Sequence, residues 1–111
     1  MIKYTIHYTE TAVRDLNETA DYIDHVLLNP TAADDLLDAL DEQLAHLEIY
    51  PEGHPIVDDP FLLTQEIRFV VVKNYLAFYV INEESKIVHI IRFLYGKRDW
   101  VKVLKQGFSI H

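Results

Sequence analysis

Two arginines, a tyrosine and six histidines carry most of the chemistry open to this chain. Arg68 and Arg98 each offer a guanidinium, which pairs a phosphate or carboxylate through two parallel hydrogen bonds. Arg98 closely follows Gly96, at an expected strand end, where it can meet a phosphate or pair with Asp99 or a helix acid. Tyr95 can donate a proton or stack on a base, or simply lie half-buried in a sheet. His7, His25, His46, His54, His89 and His111 show neither H-x-x-x-H nor H-E-x-x-H spacing. His89 alternates within an apolar run and reads as a core or edge histidine. His54 with Asp58 and Asp59 could bind a divalent cation only weakly, because residues sharing one loop need not converge on a common point as a firm site requires. The chain has no cysteine, which excludes disulfides, thiolate nucleophiles and cysteine-held metal. Its three glycines, Gly53, Gly96 and Gly107, stand too far apart for a phosphate-cradling loop. Ser85 and Ser109 lack a nucleophile-elbow context. No metal or cofactor is expected.

These residues sit on 111 positions, enough for one domain. The net charge of −8 is unevenly divided: residues 1–65 carry −12 and residues 66–111 carry +4. A chain that grasps phosphate backbones is usually basic overall, so only the C-terminal part attracts nucleic acid. The acidic half reads as solvated helix faces, among them Asp34, Asp35, Asp38, Asp41 and Glu42. The longest apolar run, Tyr75–Ile81, falls far short of a membrane span. The first ten residues, MIKYTIHYTE, lack the apolar stretch of a secretion signal. A cytoplasmic protein without a membrane partner is the expectation.

The elements that must position these side chains follow from periodicity. Ile2–His7 alternates as a strand. Thr9 is a candidate cap for a helix over 10–28, whose apolar stripe is Val13, Leu16, Ala20, Ile23 and Leu27. Asn29-Pro30-Thr31 ends it and starts a second helix over 30–49, capped by either Asn29 or Thr31. Leu36, Leu40, Leu44 and Leu47 mark its buried face. Pro51, Gly53, Pro55 and Pro60 make a surface loop over 51–63. The period then changes to two, giving strands at Glu66–Val72, Tyr75–Ile81 and Ile87–Leu94. On the middle strand Leu76, Phe78 and Val80 are expected to meet the helices, leaving Tyr75, Ala77, Tyr79 and Ile81 on a partly open face. Residues 1–100 form the core, and 101–111 a C-terminal helix or tail around Val101, Val103, Leu104 and Phe108. The predicted class is α+β: two layers in the order β-α-α-β-β-β, with a helical hairpin on one face of an antiparallel sheet.

The strand end Ile90-Ile-Arg-Phe-Leu-Tyr-Gly-Lys-Arg-Asp-Trp100 resembles that of the RelE/ParE superfamily of type II toxin–antitoxin toxins. Ala12, Asp15-Leu16 and Asp21-Tyr22-Ile23 in the first helix agree, as do Asn29-Pro30 through Ala33, Leu47 through Gly53, and Arg68 through Tyr79. The resemblance runs in order from residue 2 to about 104. It implies a growth-inhibiting toxin of a plasmid-stabilising kind, neutralised by a cognate antitoxin encoded beside it. A homodimer and a toxin–antitoxin hetero-oligomer are the assemblies it allows. Some members of such folds cleave messenger RNA in the ribosome; others bind DNA gyrase and cleave nothing.

Ribonuclease chemistry needs a base, an acid and cations on the developing phosphorane charge. Arg68, Tyr95 and Arg98 are the catalytic candidates; Arg92, Lys97, Arg98 and Trp100 are candidates for binding antitoxin or target. Trp100 and Phe108 can equally cap the core. Ribonuclease-type relatives carry an arginine where Leu76 stands, and a leucine cannot stabilise a phosphorane. The resemblance therefore favours a ParE-like toxin that binds a protein target without being an enzyme. A ribosome-dependent endoribonuclease and an inactive scaffold that only binds antitoxin are the alternatives.

Overall fold

Capping residues set the helix starts. In the computed structural model, which describes residues 3–107, Thr9 Oγ1 accepts the Ala12 N–H at 3.1 Å and opens α1, Glu10–Asp21. A five-residue π-helical turn, Tyr22–Val26, follows, and Leu28 at φ 52° reverses the chain. Of the two starts open in the sequence, Asn29 is the one used for α2, Pro30–Ile49: its Oδ1 accepts the Ala32 N–H at 3.1 Å, with Pro30 in the first turn. Two short helices come later, α3 at Pro60–Thr64 and α4 at Trp100–Gln106. Ile2 and Phe108, given roles above, lie outside the described residues.

The four strands are β1 (Thr5–Tyr8), β2 (Arg68–Val72), β3 (Tyr75–Asn82) and β4 (Ile87–Tyr95), ordered β1-β4-β3-β2 in one sheet. β2, β3 and β4 are antiparallel neighbours, but β1 joins β4 in parallel, so the sheet is mixed rather than wholly antiparallel. A parallel pair needs a long crossover, and everything between Tyr8 and Ile87 supplies it. At the tight Lys73-Asn74 connection Lys73 takes φ 58°. Gly96 donates its N–H to the Asn74 carbonyl at 2.8 Å, and a side chain there would crowd that oxygen at 3.1 Å.

The α+β class and the helical hairpin on one sheet face are as the sequence predicts. Which sheet face it covers is not. Ala77 and Tyr79 pack with Ala12, Ile23, Leu36, Leu40, Leu44 and Leu47 under α1 and α2, with Tyr75 and Ile81 beside them. Phe78, flanked by Leu76 and Val80, lies on the far face with Val57, Leu62, Ile67, Leu94 and Leu104. Strict alternation along β3 separates two apolar sets but does not say which set meets which helices. The tyrosine-bearing face is therefore closed, and α3 and α4 add partial cover to the other. α3 arises inside the expected loop because Asp59 accepts the Phe61 and Leu62 N–H groups, both at 3.1 Å.

The α1 stripe also differs. Ala12, Asp15 and Ile23 face inward, while Val13 and Leu27 are exposed. The inward face is turned by about one residue, and the π-helical turn swings Leu27 outward. In α2 Leu36, Leu40, Leu44 and Leu47 are all buried, as expected. Leu47→Ala should cost about 2–5 kcal/mol in denaturant unfolding, whereas Val13→Ala, 43% exposed in the native protein, should stay within about 0.5 kcal/mol. A large loss at Val13 would return α1 to the orientation read from the sequence.

Candidate functional site

β1 covers only half of β4, pairing through Ile90. Beyond that point the β4 edge is open, and α1 closes it. Thr9 N–H donates to the Ile90 carbonyl at 3.0 Å, and Thr9 Oγ1 donates to the Ile91 carbonyl at 3.2 Å. Asp15 Oδ2 accepts the Phe93 N–H at 3.0 Å. The same carboxylate takes Arg92 in a bidentate pair, Nε to Oδ2 at 2.7 Å and Nη2 to Oδ1 at 2.9 Å. Arg92, a binding candidate from the sequence, is thus engaged within the fold.

A β-bulge at Ile91 decides what faces α1 past this point. Phe78 pairs with Arg92 but Tyr79 pairs with Ile90, leaving Ile91 extra. Even-numbered Val88 and Ile90 face the helices before the bulge; odd-numbered Phe93 does so after it. Phe93 and Tyr95 thereby join Tyr75 beside α1. Tyr75 stacks on Phe93 with ring centres 5.2 Å apart, and meets Tyr95 edge-on at 5.6 Å. With Asp15, Glu18, Tyr22 and Arg98 they line a cleft of about 390 Å³. Burial, followed by the neighbouring Tyr95 and Tyr22 hydroxyls, raises the Tyr75 phenol above its ordinary value.

Tyr95 and Arg98 thus share one cleft, and the Arg98 N–H donates to the Tyr95 carbonyl at 3.0 Å. The Arg98 guanidinium has no ion pair among the described residues, since Asp99 caps α4 through Lys102 N–H instead. Lys97 is exposed beside it. Trp100 is half-buried and packs on Phe78 with ring centres 5.3 Å apart, capping the far core. Leu76 belongs to that same apolar face, opposite Leu94.

Arg68 is not part of the cleft. It lies at the start of β2 opposite Tyr79, while Val72, four residues on, lies opposite Tyr75. Four strand residues span about 13 Å. Its Nη1 donates to the carbonyls of His54 at 2.6 Å and Glu52 at 3.2 Å, pinning the turn after α2. Tyr79 works beside it, donating its hydroxyl proton to the Pro51 carbonyl at 2.6 Å. Burial, then His46 and Arg68, lowers the His54 imidazole below its usual range. The His54–Asp58–Asp59 constellation does not converge. Asp59 caps α3 and pairs with Lys105 at 3.1 Å, and the Leu62 N–H is the largest influence holding its carboxyl below the usual range. No group of three or more His, Asp or Glu side chains converges among the described residues.

The family of ParE toxins of type II toxin–antitoxin systems, parDE, matches residues 6–100. This chain belongs to the ParE toxin family. No curated protein sequence matches it. Among solved structures it resembles the chromosomal ParDE toxin–antitoxin system of P. aeruginosa, at 18% identity and TM-score 0.67 over 86% of this chain and 98% of that one. It is also similar to the archaeal RelE–RelB complex of Pyrococcus horikoshii, at 16% identity and TM-score 0.58 over 86% and 98%. The isolated E. coli RelE toxin gives 14% identity and TM-score 0.55 over 94% and 98%. At these identities the structures share the fold. No described helix of this ParE-family chain is long and apolar enough to cross a membrane.

Asp15 is the functional residue that apolar periodicity does not mark; its signal in the sequence is an acid on the inward face of α1. Asp15→Ala strands the Phe93 N–H and leaves Arg92 unpaired, so it should cost about 3 kcal/mol or more in chemical unfolding. A loss under about 1 kcal/mol would show that α1 is held by other contacts. A second expectation concerns alkali. Burial pushes the Tyr79 hydroxyl well above the ordinary tyrosine value, so the fold holds it neutral while the unfolded chain ionises it near pH ~10. Its contribution is complete below that pH and lost as pH rises further. Stability should fall above pH ~10, and the Tyr79→Phe variant should show a shallower fall, measured by melting across pH 8–11.5.

Proposed function

We propose that this ParE-family toxin acts by binding a protein target, DNA gyrase by family expectation, and that a cognate antitoxin neutralises it. The reading rests on how the candidate groups for phosphoryl chemistry are distributed. Arg68 is engaged at the opposite end of the sheet, the Leu76 position is apolar, and only Tyr95 and Arg98 share the cleft. Carboxylates and phenols line that cleft, but one guanidinium does not supply the several cations that 2′-hydroxyl attack requires. Binding a protein needs only a complementary patch with a few anchors. Arg98, Lys97 and the exposed Tyr95 are such groups at one corner of the molecule. The charge of −8 further disfavours approach to RNA.

An antitoxin partner is supported by the relatives solved as ParDE and RelE–RelB assemblies. The tyrosine-bearing face of β3 is occupied by α1 and α2, which supports assigning the 92–100 corner to this partner. The +4 charge of residues 66–111 suits an acidic segment.

Purified toxin should inhibit gyrase in a supercoiling assay and leave messenger RNA intact on translating ribosomes. Arg98→Ala, with its fold checked by melting, should weaken gyrase inhibition about ten-fold or more, the scale of an interface anchor. Codon-dependent cuts on ribosomes that vanish in Arg98→Ala would replace this reading with an endoribonuclease. Antitoxin binding without either activity would leave an inactive scaffold.

A further inference from the structure

The parallel pairing of β1 with β4 sets His7 directly opposite His89. Nothing in the spacing of these residues, 82 positions apart, announces the encounter. Their Nδ1 atoms stand 3.0 Å apart with the rings near perpendicular, at 85°. His7 is exposed and His89 partly so. Val80, the β3 neighbour of His89, places the pair on the sheet face opposite α1 and α2. A neutral imidazole has one N–H and one lone pair, so at this distance one Nδ1 can donate to the other in the matching tautomers.

We infer that His7 and His89 form a two-imidazole site for a divalent transition metal of the copper, nickel or zinc class. When both rings carry their proton on Nε2, two Nδ1 lone pairs face one another, and a cation is the partner that satisfies both. The spacing fits. Two imidazole nitrogens each about 2.05 Å from one ion are about 2.9 Å apart at a right angle and about 3.35 Å apart at the tetrahedral angle. The observed 3.0 Å is therefore within about 0.1 Å of two adjacent ligands of Cu2+ or Ni2+ in their tetragonal geometries. Zn2+ in tetrahedral geometry requires the rings to part by about 0.35 Å. Either ion requires the rings to turn about χ2 so that the lone pairs converge, a soft torsion for histidine. The remaining ligand positions open to solvent and take water. With two protein ligands the order of affinity follows the metal: Cu2+ first, Ni2+ and Zn2+ weaker. Bound there, the ion cross-links the edge strand β1 to β4 and raises stability by mass action.

Titration of the full chain with Cu2+, Ni2+ and Zn2+, followed by calorimetry, tests the site. The expected result is one ion per chain held at this pair, with affinity reduced at least ten-fold in His7→Ala and in His89→Ala. The double variant should lose less than the sum of the two single losses, because both ligands act on one ion. His25→Ala and His46→Ala should change nothing. Saturating metal should raise the melting midpoint of the wild type by several degrees, and of neither His7→Ala nor His89→Ala. A measurement on the unaltered chain guards against a variant that fails to fold. Paramagnetic Cu2+ should broaden the amide signals of residues 6–8 and 88–90 before those near His25, His46 and His54. Unchanged affinity in both single variants, or broadening centred on another histidine, would overturn the site.

Discussion

The unpaired second half of β4 is the constraint around which this molecule is organised. An edge strand as short as β1 leaves backbone groups facing outward past Ile90, and an unmet edge is a site for unwanted pairing. α1 meets them one after another: Thr9 backbone, Thr9 hydroxyl, then the Asp15 carboxylate. A carboxylate only 8% exposed requires compensation, and Arg92 supplies it in bidentate form. Removing one member of such a set is costly because the others stay behind. The helix face is thus oriented by polar groups, with Ala12 packed flat against the sheet beside them. Apolar periodicity puts Val13 on that face. It loses to a hydrogen-bonding requirement that no hydropathy pattern records, while Leu27 is turned out by the π-helical turn before it.

That contrast marks what was legible in the sequence. α2 is legible because its stripe of leucines is long, regular and answered only by packing. The β-α-α-β-β-β order followed from the change of period near Glu66, and the hairpin's place on one face followed from the short turn between helices. Strand faces were not legible in the same way. Alternation on β3 separates Tyr75, Ala77, Tyr79 and Ile81 from Leu76, Phe78 and Val80, yet both sets are apolar enough for a core. The difference lies in Tyr79, whose buried hydroxyl finds the Pro51 carbonyl and whose ring meets His54 edge-on. That partner sits 28 residues away and is defined only once α2 has ended. The cap at Asp59 was hidden by the prolines around it, which read more readily as loop than as a short helix.

The cleft was half legible. Tyr95 and Arg98 stand close in sequence and remain close in space. Arg68 shares their chemical type, but the sheet places it at the far end. Tyr75 and Tyr22 arrive from other elements, brought in by the β2–β3 turn and by the end of α1. The bulge at Ile91 is what makes their meeting with Phe93 and Tyr95 work. Without the extra residue, the even-numbered residues of β4 would face α1 throughout, and Arg92 and Leu94 would stand where the aromatic rings are.

The bulge and the Asp15 anchor therefore act on the same few residues from two sides. The bulge turns Phe93 toward α1, and Asp15 takes the Phe93 N–H that this turn leaves at the open edge. Phe93 in turn supports Tyr75, and Tyr75 supports Tyr95. The aromatic wall of the cleft is consequently built on strand backbone held at both ends, with Gly96 closing tightly on Asn74 beyond it. Arg98 and Lys97 follow on the next turn, outside the ladder and exposed. A packed aromatic wall beside exposed cationic side chains suits recognition of another macromolecule: the wall fixes register at little entropic cost, and the cations supply charge complementarity. Phosphoryl transfer asks for something else, several cations gathered around the reacting phosphorus, where this cleft holds one guanidinium.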